Sequence, residues 1–437
     1  MAIYSKEEAR QIMERALSFS TSESCEINLN GNESGNIRYA RNSVSTSGHR
    51  SNQTMAVQAS FGNKSGTATI DEFDDESLKK VVKRAEELAQ LSPENPEFVK
   101  PLGPQTYNES ISFNERTANI SPEYRAEVAG KSISAAKAKD VTAAGFFNDN
   151  SGFSAMLNSS GLFAYNKSTN TDFTVTMRSN DGTGSGWVTR DFNDVSKFDA
   201  DEASKVAIDK ALMSKNARAI EPGKYTVILE PAASIGLLEN LARSFDARRA
   251  DEGRSFMSKD GGSKLGQKIV DERINAWSDP LHPEVPGATW NSEGQPLNKT
   301  SWIENGVVKN LSYSRYWAQQ KGVEALPSPS NFIMQGGDAS LEDLIKDTKK
   351  GILVTRLWYI RSVDPQTLLY TGLTRDGTFY IENGKIKYPV KNFRFNESPI
   401  IMLNNLEALG QQVRVDGSLI PYMKVRDFTF TSLSDAV

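Results

Sequence analysis

Three strand-like segments held between two amphipathic helices constrain the fold of this chain more than any other feature of its sequence. The segments 24–32, 34–51 and 54–70 alternate apolar and polar residues, with Gly or Asn where turns are expected. Residues 6–17 and the segment 71–96, which Ser-Pro stops at 92–93, repeat apolar residues at helical spacing on either side. The pattern predicts an antiparallel meander flanked by helices.

The same order of elements follows a Pro-rich linker at residues 93–104. A helix is predicted over 121–139, strands follow it at 143–149, 154–158 and 161–167, and the run "TDFTVTMRS" extends them. A helix over 203–215 closes this unit. The chain therefore predicts an N-terminal α+β domain, 1–220, with two possible similar units, 1–104 and 121–220.

The remaining segment, 221–437, is predicted to be a β-rich C-terminal domain. It opens with a strand at 225–229 and a helix at about 234–245, followed by many short strand-like runs. Two hairpins are built on Glu-Asn-Gly, because Asn-Gly supplies the two positive φ angles that a type I′ turn requires. The run "GILVTRLWYI" is continuous and apolar, which favours a buried core strand.

This order of elements predicts an α+β fold with two domains: helix-flanked antiparallel meanders, then a β-rich C-terminal domain. At 437 residues the chain exceeds the size at which single cores stop growing, which supports two domains.

Charge and composition exclude several classes of function. The net charge of -4 provides no basic footprint for direct nucleic-acid binding. No run approaches the roughly 18 apolar residues of a membrane span, and the first twenty residues lack the pattern of a secretory signal. Cys25 is the single cysteine, so an internal disulfide is impossible. We expect a cytoplasmic protein that binds neither nucleic acid nor membrane.

Catalytic chemistry is hard to place on these residues. Zinc requires several His, Cys or carboxylate ligands, and the chain offers His49, His282 and Cys25 in three separate segments. The chain has two histidines and no Gly-x-Ser-x-Gly motif, so it offers few residues from which a nucleophilic triad could be built. The Gly-rich runs "GNKSGTA" and "NDGTGSGW" lack the phosphate-loop pattern and predict turns. A catalytic pair of carboxylates remains possible, because Asp and Glu are plentiful, but the sequence does not show which of them would meet in the fold.

Several stretches together closely resemble the TldD/PmbA family, metallopeptidase-related proteins also known as modulators of DNA gyrase. They are "IRYARNSVSTSG", "GTATIDEFDDESLKKVVKRAEELAQLSPENPEF", "FMSKDGGSKLGQKI" and "PGATWNSEGQPLNKTSWIENGVVKNLSYSRYWA". The resemblance covers essentially the whole chain. The resemblance is specific because of the order and spacing of these stretches, since none of them is itself a catalytic motif.

The resemblance also implies which residues stand at the family's zinc site. In the catalytic TldD type a helix carries His-Glu-x-x-x-His and a C-terminal Cys completes the site. Aligned on "GRSF", this motif falls on Leu238 to Arg243, where both histidine positions are lost and Glu239 alone matches. The stretch "LGQQVRVDGSLIPYMKV" has no Cys. Glu239 and Arg243, at i and i+4, predict an ordinary helix salt bridge.

The resemblance therefore implies a PmbA-like (TldE) member: a non-catalytic subunit that pairs with a zinc-dependent TldD-like peptidase acting on unfolded peptides. Zinc is expected on the TldD-like partner and no cofactor on this chain, which we expect to form a homodimer in isolation. Two alternatives stay open. One is a stand-alone metallopeptidase with an unrecognised metal site, and the other is a non-enzymatic regulator linked to DNA gyrase.

Overall fold

The computed structural model describes residues 3–434, and its N-terminal half is built on one six-stranded antiparallel sheet. The strand order is β3-β2-β1-β4-β5-β6, so strands from residues 24–70 form one half of the sheet, strands from residues 141–192 form the other, and they meet where β1 pairs with β4. The strands are β1 (Ser24–Ala40), β2 (Ser43–Phe61), β3 (Lys64–Ile70), β4 (Val141–Asn158), β5 (Phe163–Ser179) and β6 (Ser185–Phe192).

Helices cover one face of this sheet. Side chains alternate along β1, so that Ile27, Leu29, Ile37 and Tyr39 share a buried face with the helices packed on it, while the other face carries polar residues such as Asn30. The helices of this half are α1 (Lys6–Ser18), α2 (Asp75–Leu91), α3 (Glu115–Ala118), α4 (Pro122–Ala138) and α5 (Ala200–Met213), with a 3-10 turn at Val195–Lys197.

The predicted first helix is confirmed as α1, and Ser5 caps its N-terminus. The Ser5 hydroxyl accepts the Glu8 N–H at 3.2 Å and the Glu8 carboxylate accepts the Ser5 N–H at 2.8 Å, a capping box that satisfies two N–H groups. Ala9 and Met13, on the apolar face of this helix, are buried. The amphipathic helix after the first meander is confirmed as α2.

The strands are longer than the sequence predicted, because two glycines taken as turn residues lie within β1. At Gly31 a Cβ atom would overlap the Phe153 ring, and at Gly35 it would overlap the Arg125 guanidinium. These glycines permit close packing in mid-strand. The turn is instead made by Arg41 and Asn42, both at positive φ (51° and 57°). The predicted strand breaks at 150–153 and 168–170 are also wrong, because β4 and β5 run through them without interruption.

The C-terminal half is built on a thirteen-stranded, mostly antiparallel sheet, whose main path runs β12-β11-β10-β13-β21-β7-β14-β17-β18. Its helices are α6 (Pro231–Arg243), α7 (Ala247–Asp251), α8 (Arg315–Lys321), α9 (Leu341–Lys346) and α10 (Pro399–Asn404). The strands of this half, including the separate β8–β9 ribbon, are β7 (Lys224–Leu229), β8 (Ser258–Lys259), β9 (Gly262–Ser263), β10 (Ala276–Ser278), β11 (Thr300–Glu304), β12 (Val307–Val308), β13 (Ile333–Met334), β14 (Lys350–Val354), β15 (Leu357–Asp364), β16 (Leu369–Thr374), β17 (Thr378–Glu382), β18 (Lys385–Pro389), β19 (Phe393–Glu397), β20 (Leu406–Val415) and β21 (Ser418–Leu433).

Both Glu-Asn-Gly hairpins are confirmed. Asn305 and Gly306 join β11 to β12 with φ of 50° and 75°, and Asn383 and Gly384 join β17 to β18 with φ of 50° and 73°. Positive φ at both central residues is what Asn-Gly provides most readily. The predicted α+β fold with antiparallel sheets is thereby confirmed. The domain division near residue 220 stays a prediction.

The apolar run at 351–360 is two strands and not one buried strand. Its first part, β14, is buried between β7 and β17, but the chain turns at Thr355 and Arg356 and continues as β15. Among the strands of residues 3–434, β15 pairs on one side only, with β16. Its Trp358 and Tyr359 are exposed, so the prediction of a single core strand is wrong for this half of the run.

Candidate functional site

Helix α6 carries the positions at which the family motif would lie. Buried strand β7 leads directly into it, and Pro231 starts it with a φ already suited to a helix. Glu230, at the N-cap, forms an ion pair with Lys210 on α5 at 2.7 Å, in which both side chains are largely buried. This pair fixes the start of α6 against the N-terminal half of the molecule.

The three residues at the motif positions have separate environments. Leu238 is fully buried in the C-terminal core. Glu239 and Arg243 lie on the outer side of α6, where Arg243 Nη2 is 2.8 Å from Glu239 Oε2, which confirms the predicted i, i+4 salt bridge. Such a partly exposed pair is worth only about 0.3–0.5 kcal/mol.

This donor set does not fit zinc. A protein zinc site uses three or four N, O or S ligands, whereas Leu238 has no donor atom and Arg243 brings a positive charge. Over residues 3–434 no group of three or more His, Cys, Asp or Glu side chains is arranged to hold a metal ion. Glu239 therefore has no zinc ligand beside it on this helix.

The structure brings α6 against the C-terminal stretch in which the family's Cys would be expected. Strands β20 and β21 contain that stretch, and both pack on α6. They are joined by a two-residue turn, Asp416 and Gly417, with φ of 48° and 68°. The two parts of the motif are thus neighbours in the fold, as the resemblance implies.

Asp416 is a residue of this region that the sequence reasoning missed. The residue is exposed at a turn, yet desolvation around its carboxyl, together with the nearby carboxylates of Asp191, Glu239 and Asp172, raises the pKa of that carboxyl from 3.8 to about 6. Asp-Gly between two alternating runs predicts the turn. Its position beside α6 and β6 depends on contacts between distant segments, which leave no local signal in the sequence.

The exposed edge strand β15 lies directly beside α6. Gly236 on α6 faces Ile360, whose Cδ1 would be 2.8 Å from a Cβ at that position. Trp358 is 37% exposed and Tyr359 is 55% exposed, and Tyr359 adopts a φ of 56°. A bulky residue in this conformation is strained by roughly 1–3 kcal/mol, and such strain is concentrated at functional sites.

The remaining candidate ligands stay apart. His49 is exposed on β2, and His282 lies in a loop where its Nδ1 accepts the Glu284 N–H at 3.2 Å. Cys25 is buried in the core under the first meander, and burial raises the pKa of its thiol to about 11. A buried thiol with this pKa is neutral and packs as a small apolar group.

The question of a membrane span can be answered for the described part of the chain. Within residues 3–434, none of the helices combines the length and apolar character that a membrane crossing demands.

The fold and the residues that the family models match together define the class of protein to which this chain belongs. Three family models match the chain: PmbA/TldA metallopeptidase domain 1 at residues 25–89, the central domain at 115–215 and the C-terminal domain at 222–432. The chain belongs to the PmbA/TldD family of metallopeptidase-related proteins.

Individual relatives match the sequence of this chain over different shares of its length. The chain is 21% identical to metalloprotease PmbA from Escherichia coli O157:H7, over 97% of this chain and 98% of that protein. It is 24% identical to a metalloprotease from Methanothermobacter thermautotrophicus, over 60% of this chain and 61% of that protein, and 24% identical to a Buchnera aphidicola TldD homologue, over 49% and 47%. The chain thus spans less than two thirds of the length of these last two relatives.

Two solved structures share the fold. TldE from Thermococcus kodakarensis superposes with a TM-score of 0.87 at 21% identity, covering 97% of this chain and 99% of that one. A Thermotoga maritima protein described as a candidate modulator of a DNA gyrase gives 0.88 at 18% identity, covering 97% and 100%. Identities this low establish a common fold and nothing further.

Proposed function

We propose that this chain is the non-catalytic, TldE-type subunit of a two-subunit peptidase, pairing with a zinc-dependent TldD-type subunit that cleaves unfolded peptides. The proposal rests on the side chains that helix α6 presents at the motif positions. Leu238 is buried, and the Glu239 carboxylate is paired with Arg243. A zinc-activated water would need a metal held by several ligands and a base beside it, and this helix offers a single carboxylate.

The edge strand β15 supports the pairing. Interface hot spots are enriched in Trp and Tyr, and an unpaired edge strand can pair with another chain. The Trp358 and Tyr359 rings contact each other at a tilt of 39°, with centroids 5.4 Å apart, and guanidinium groups cover them at 4.2 Å (Arg375 on Trp358) and 4.4 Å (Arg361 on Tyr359). This aromatic surface adjoins helix α6, which carries the motif positions.

We extend the proposal to the state of the chain without its partner. The same exposed strand would pair two copies in a cytoplasmic homodimer, since an unpaired edge with apolar side chains is costly to leave in water. Light scattering on the purified chain tests this. A mass of two chains is expected, lost in Trp358→Ser, and a monomer contradicts it.

Hydrolysis of an unfolded protein tests the main proposal. The chain alone, a TldD-type subunit alone and their mixture are compared, and zinc is measured in each separated chain. Cleavage that requires the TldD-type subunit, with zinc confined to that subunit, is expected. Chelator-sensitive cleavage by this chain alone would favour a stand-alone metallopeptidase, and altered gyrase activity without any cleavage would favour a regulator.

A further inference from the structure

The N-terminal part of strand β2 is an exposed edge of the six-stranded sheet. Strand β3 pairs with β2 along residues 55–61, and within residues 3–434 no strand pairs with the outer side of residues 43–50. Every one of the residues 43–50 is exposed, although successive side chains point to opposite faces of the sheet. Proteins usually cover or shorten an edge of this length, because its unpaired N–H and C=O groups can pair with another chain.

Strand β5 shows how the same sheet covers an equivalent edge. It is second from the opposite end of the sheet, as β2 is from its own end, and β6 pairs with its C-terminal part, residues 171–178. The segment 110–114, just before α3, covers the preceding part of β5. There the Thr169 N–H donates to the Ser112 carbonyl oxygen at 3.0 Å, and the Ser112 hydroxyl donates to the Lys167 carbonyl oxygen at 3.2 Å. A segment of chain therefore fits beside this sheet at the place that is left open on β2.

The chain around the β2 edge is basic, although the net charge of the whole chain is -4. There is no Asp or Glu between residues 34 and 70. Arg38 lies on β1, Arg50 lies on β2, and Arg41 is in the turn that joins these strands. All three arginines are exposed. Guanidinium groups form strong and often bidentate hydrogen bonds with carboxylates, so this edge favours a strand that carries Asp or Glu.

Backbone and charge together define the occupant of the edge. The unpaired N–H and C=O groups of β2 are complementary to another peptide backbone, which phosphate-bearing ligands lack. A second copy of this chain does not suit the edge, because two paired β2 strands would bring their arginines together. Like charges on neighbouring strands destabilise a sheet. The occupant that satisfies both requirements is an extended polypeptide with negative charge.

We propose that residues 43–50 of β2 bind an acidic, extended segment of an unfolded peptide, which joins the sheet as a further strand. Main-chain hydrogen bonds to β2 provide affinity in this mode of binding, and the Asp or Glu side chains pair with Arg41 and Arg50. A substrate peptide as the occupant rests on the proposed function, in which the TldD-type subunit cleaves unfolded peptides. This chain would then favour substrates with acidic segments without cleaving them.

Fluorescence anisotropy with labelled peptides and the purified chain tests the role of charge. The reference peptide is about eight residues long, alternates Glu with Thr and is blocked at both ends, and a second peptide has Gln in place of each Glu. The Glu peptide is expected to bind at least about tenfold more tightly, the effect of a charge-assisted hydrogen bond. The double variant Arg41→Asn with Arg50→Gln is expected to reduce this ratio to about one. Arg84→Gln, at an exposed residue of α2, should leave the ratio unchanged.

Two further peptides test strand addition itself. Each carries N-methyl groups on one of the two alternate sets of residues of the Glu peptide, which removes the N–H donors along one side of the strand. Because only one side of an added strand faces β2, one methylated peptide should lose binding at least about tenfold and the other should keep it. Equal affinity of the two methylated peptides would contradict strand addition.

Other outcomes would also overturn the inference. Equal affinity for the Glu and Gln peptides would do so, as would no binding of either at millimolar concentration. A dimer by light scattering that dissociates in the double arginine variant would assign the edge to a second copy of the chain. Failure of the proposed function has a different signature: the mixture with a TldD-type subunit would leave every unfolded substrate uncleaved, while the Glu peptide would still bind to this chain.

Discussion

Arg414 on β20 and Asp191 on β6 join the two halves of the molecule, with Arg414 Nε 2.8 Å from Asp191 Oδ2 across 223 residues of sequence. Both side chains are buried, and the Gly417 N–H donates to the same oxygen at 3.0 Å. Removing one partner of a buried pair leaves the other charge uncompensated. Arg414→Ala should therefore lower the free energy of unfolding by about 3 kcal/mol in urea denaturation.

The matched control for this prediction is Arg243→Ala, which removes an exposed ion pair. That change should cost less than about 1 kcal/mol. Equal losses from the two substitutions would show that Asp191 does not depend on Arg414.

Gly35 marks a second place where a small change has a large expected effect. Arg125 on α4 lies against it and holds Asp149 with two hydrogen bonds of 2.5 and 2.9 Å, both side chains being buried. In Gly35→Ala the new Cβ would displace the guanidinium, and overpacking of this kind costs roughly 1–3 kcal/mol. Thermal unfolding should report a lower Tm.

Gly130→Ala is the control for Gly35→Ala, because a Cβ at that exposed helical position meets no atom within 4 Å. Alanine should stabilise α4 by up to about 1 kcal/mol. A loss of stability at Gly130 similar to that at Gly35 would contradict the steric explanation.

Asp416 predicts a dependence of stability on pH. Its folded pKa, about 6, is above its ordinary value of 3.8 through desolvation and the carboxylates of Asp191, Glu239 and Asp172. Because the folded pKa is raised, the contribution of this group is fully present below pH 4 and is lost as the pH rises through 6. Asp416→Asn, which the turn's positive φ tolerates, should raise Tm at pH 7.5 and leave it unchanged at pH 4.

A Tm difference of the same size at both pH values would contradict this assignment. Asp209→Asn on α5 serves as the control, since its carboxylate is exposed and pairs with Lys205.

The sequence predicted those features that depend on local chemistry. The Glu-Asn-Gly hairpins follow from the φ angles that Asn and Gly allow, and the Glu239–Arg243 pair follows from helix spacing. The error at Gly31 and Gly35 has a physical cause: glycine permits a turn and also permits a ring or guanidinium to pack on a strand, and the sequence alone does not say which. The position of Asp416, in contrast, depends on contacts between segments that are far apart in the sequence, and no local pattern predicts such contacts.

Strand β15 makes a prediction about subunit pairing. Trp358→Ser should weaken binding of a TldD-type subunit at least about tenfold, since exposed aromatic anchors at interfaces contribute 2 kcal/mol or more. The Tm should change little, because Trp358 lies at the surface. Leu91→Ser, at an apolar residue exposed at the end of α2, should leave binding unchanged. Equal affinity of the Trp358 variant and the wild type would place the interface elsewhere.

The most direct test of the central claim is the rate of peptide cleavage by the mixture when this chain carries Glu239→Gln. The substitution keeps the size of the side chain and removes only an exposed ion pair worth about 0.5 kcal/mol. A non-catalytic subunit predicts a rate equal to that of the wild-type mixture, whereas the matching Glu→Gln change in the TldD-type subunit abolishes cleavage. Loss of cleavage from Glu239→Gln, with pairing intact, would show that this chain contributes a catalytic carboxylate.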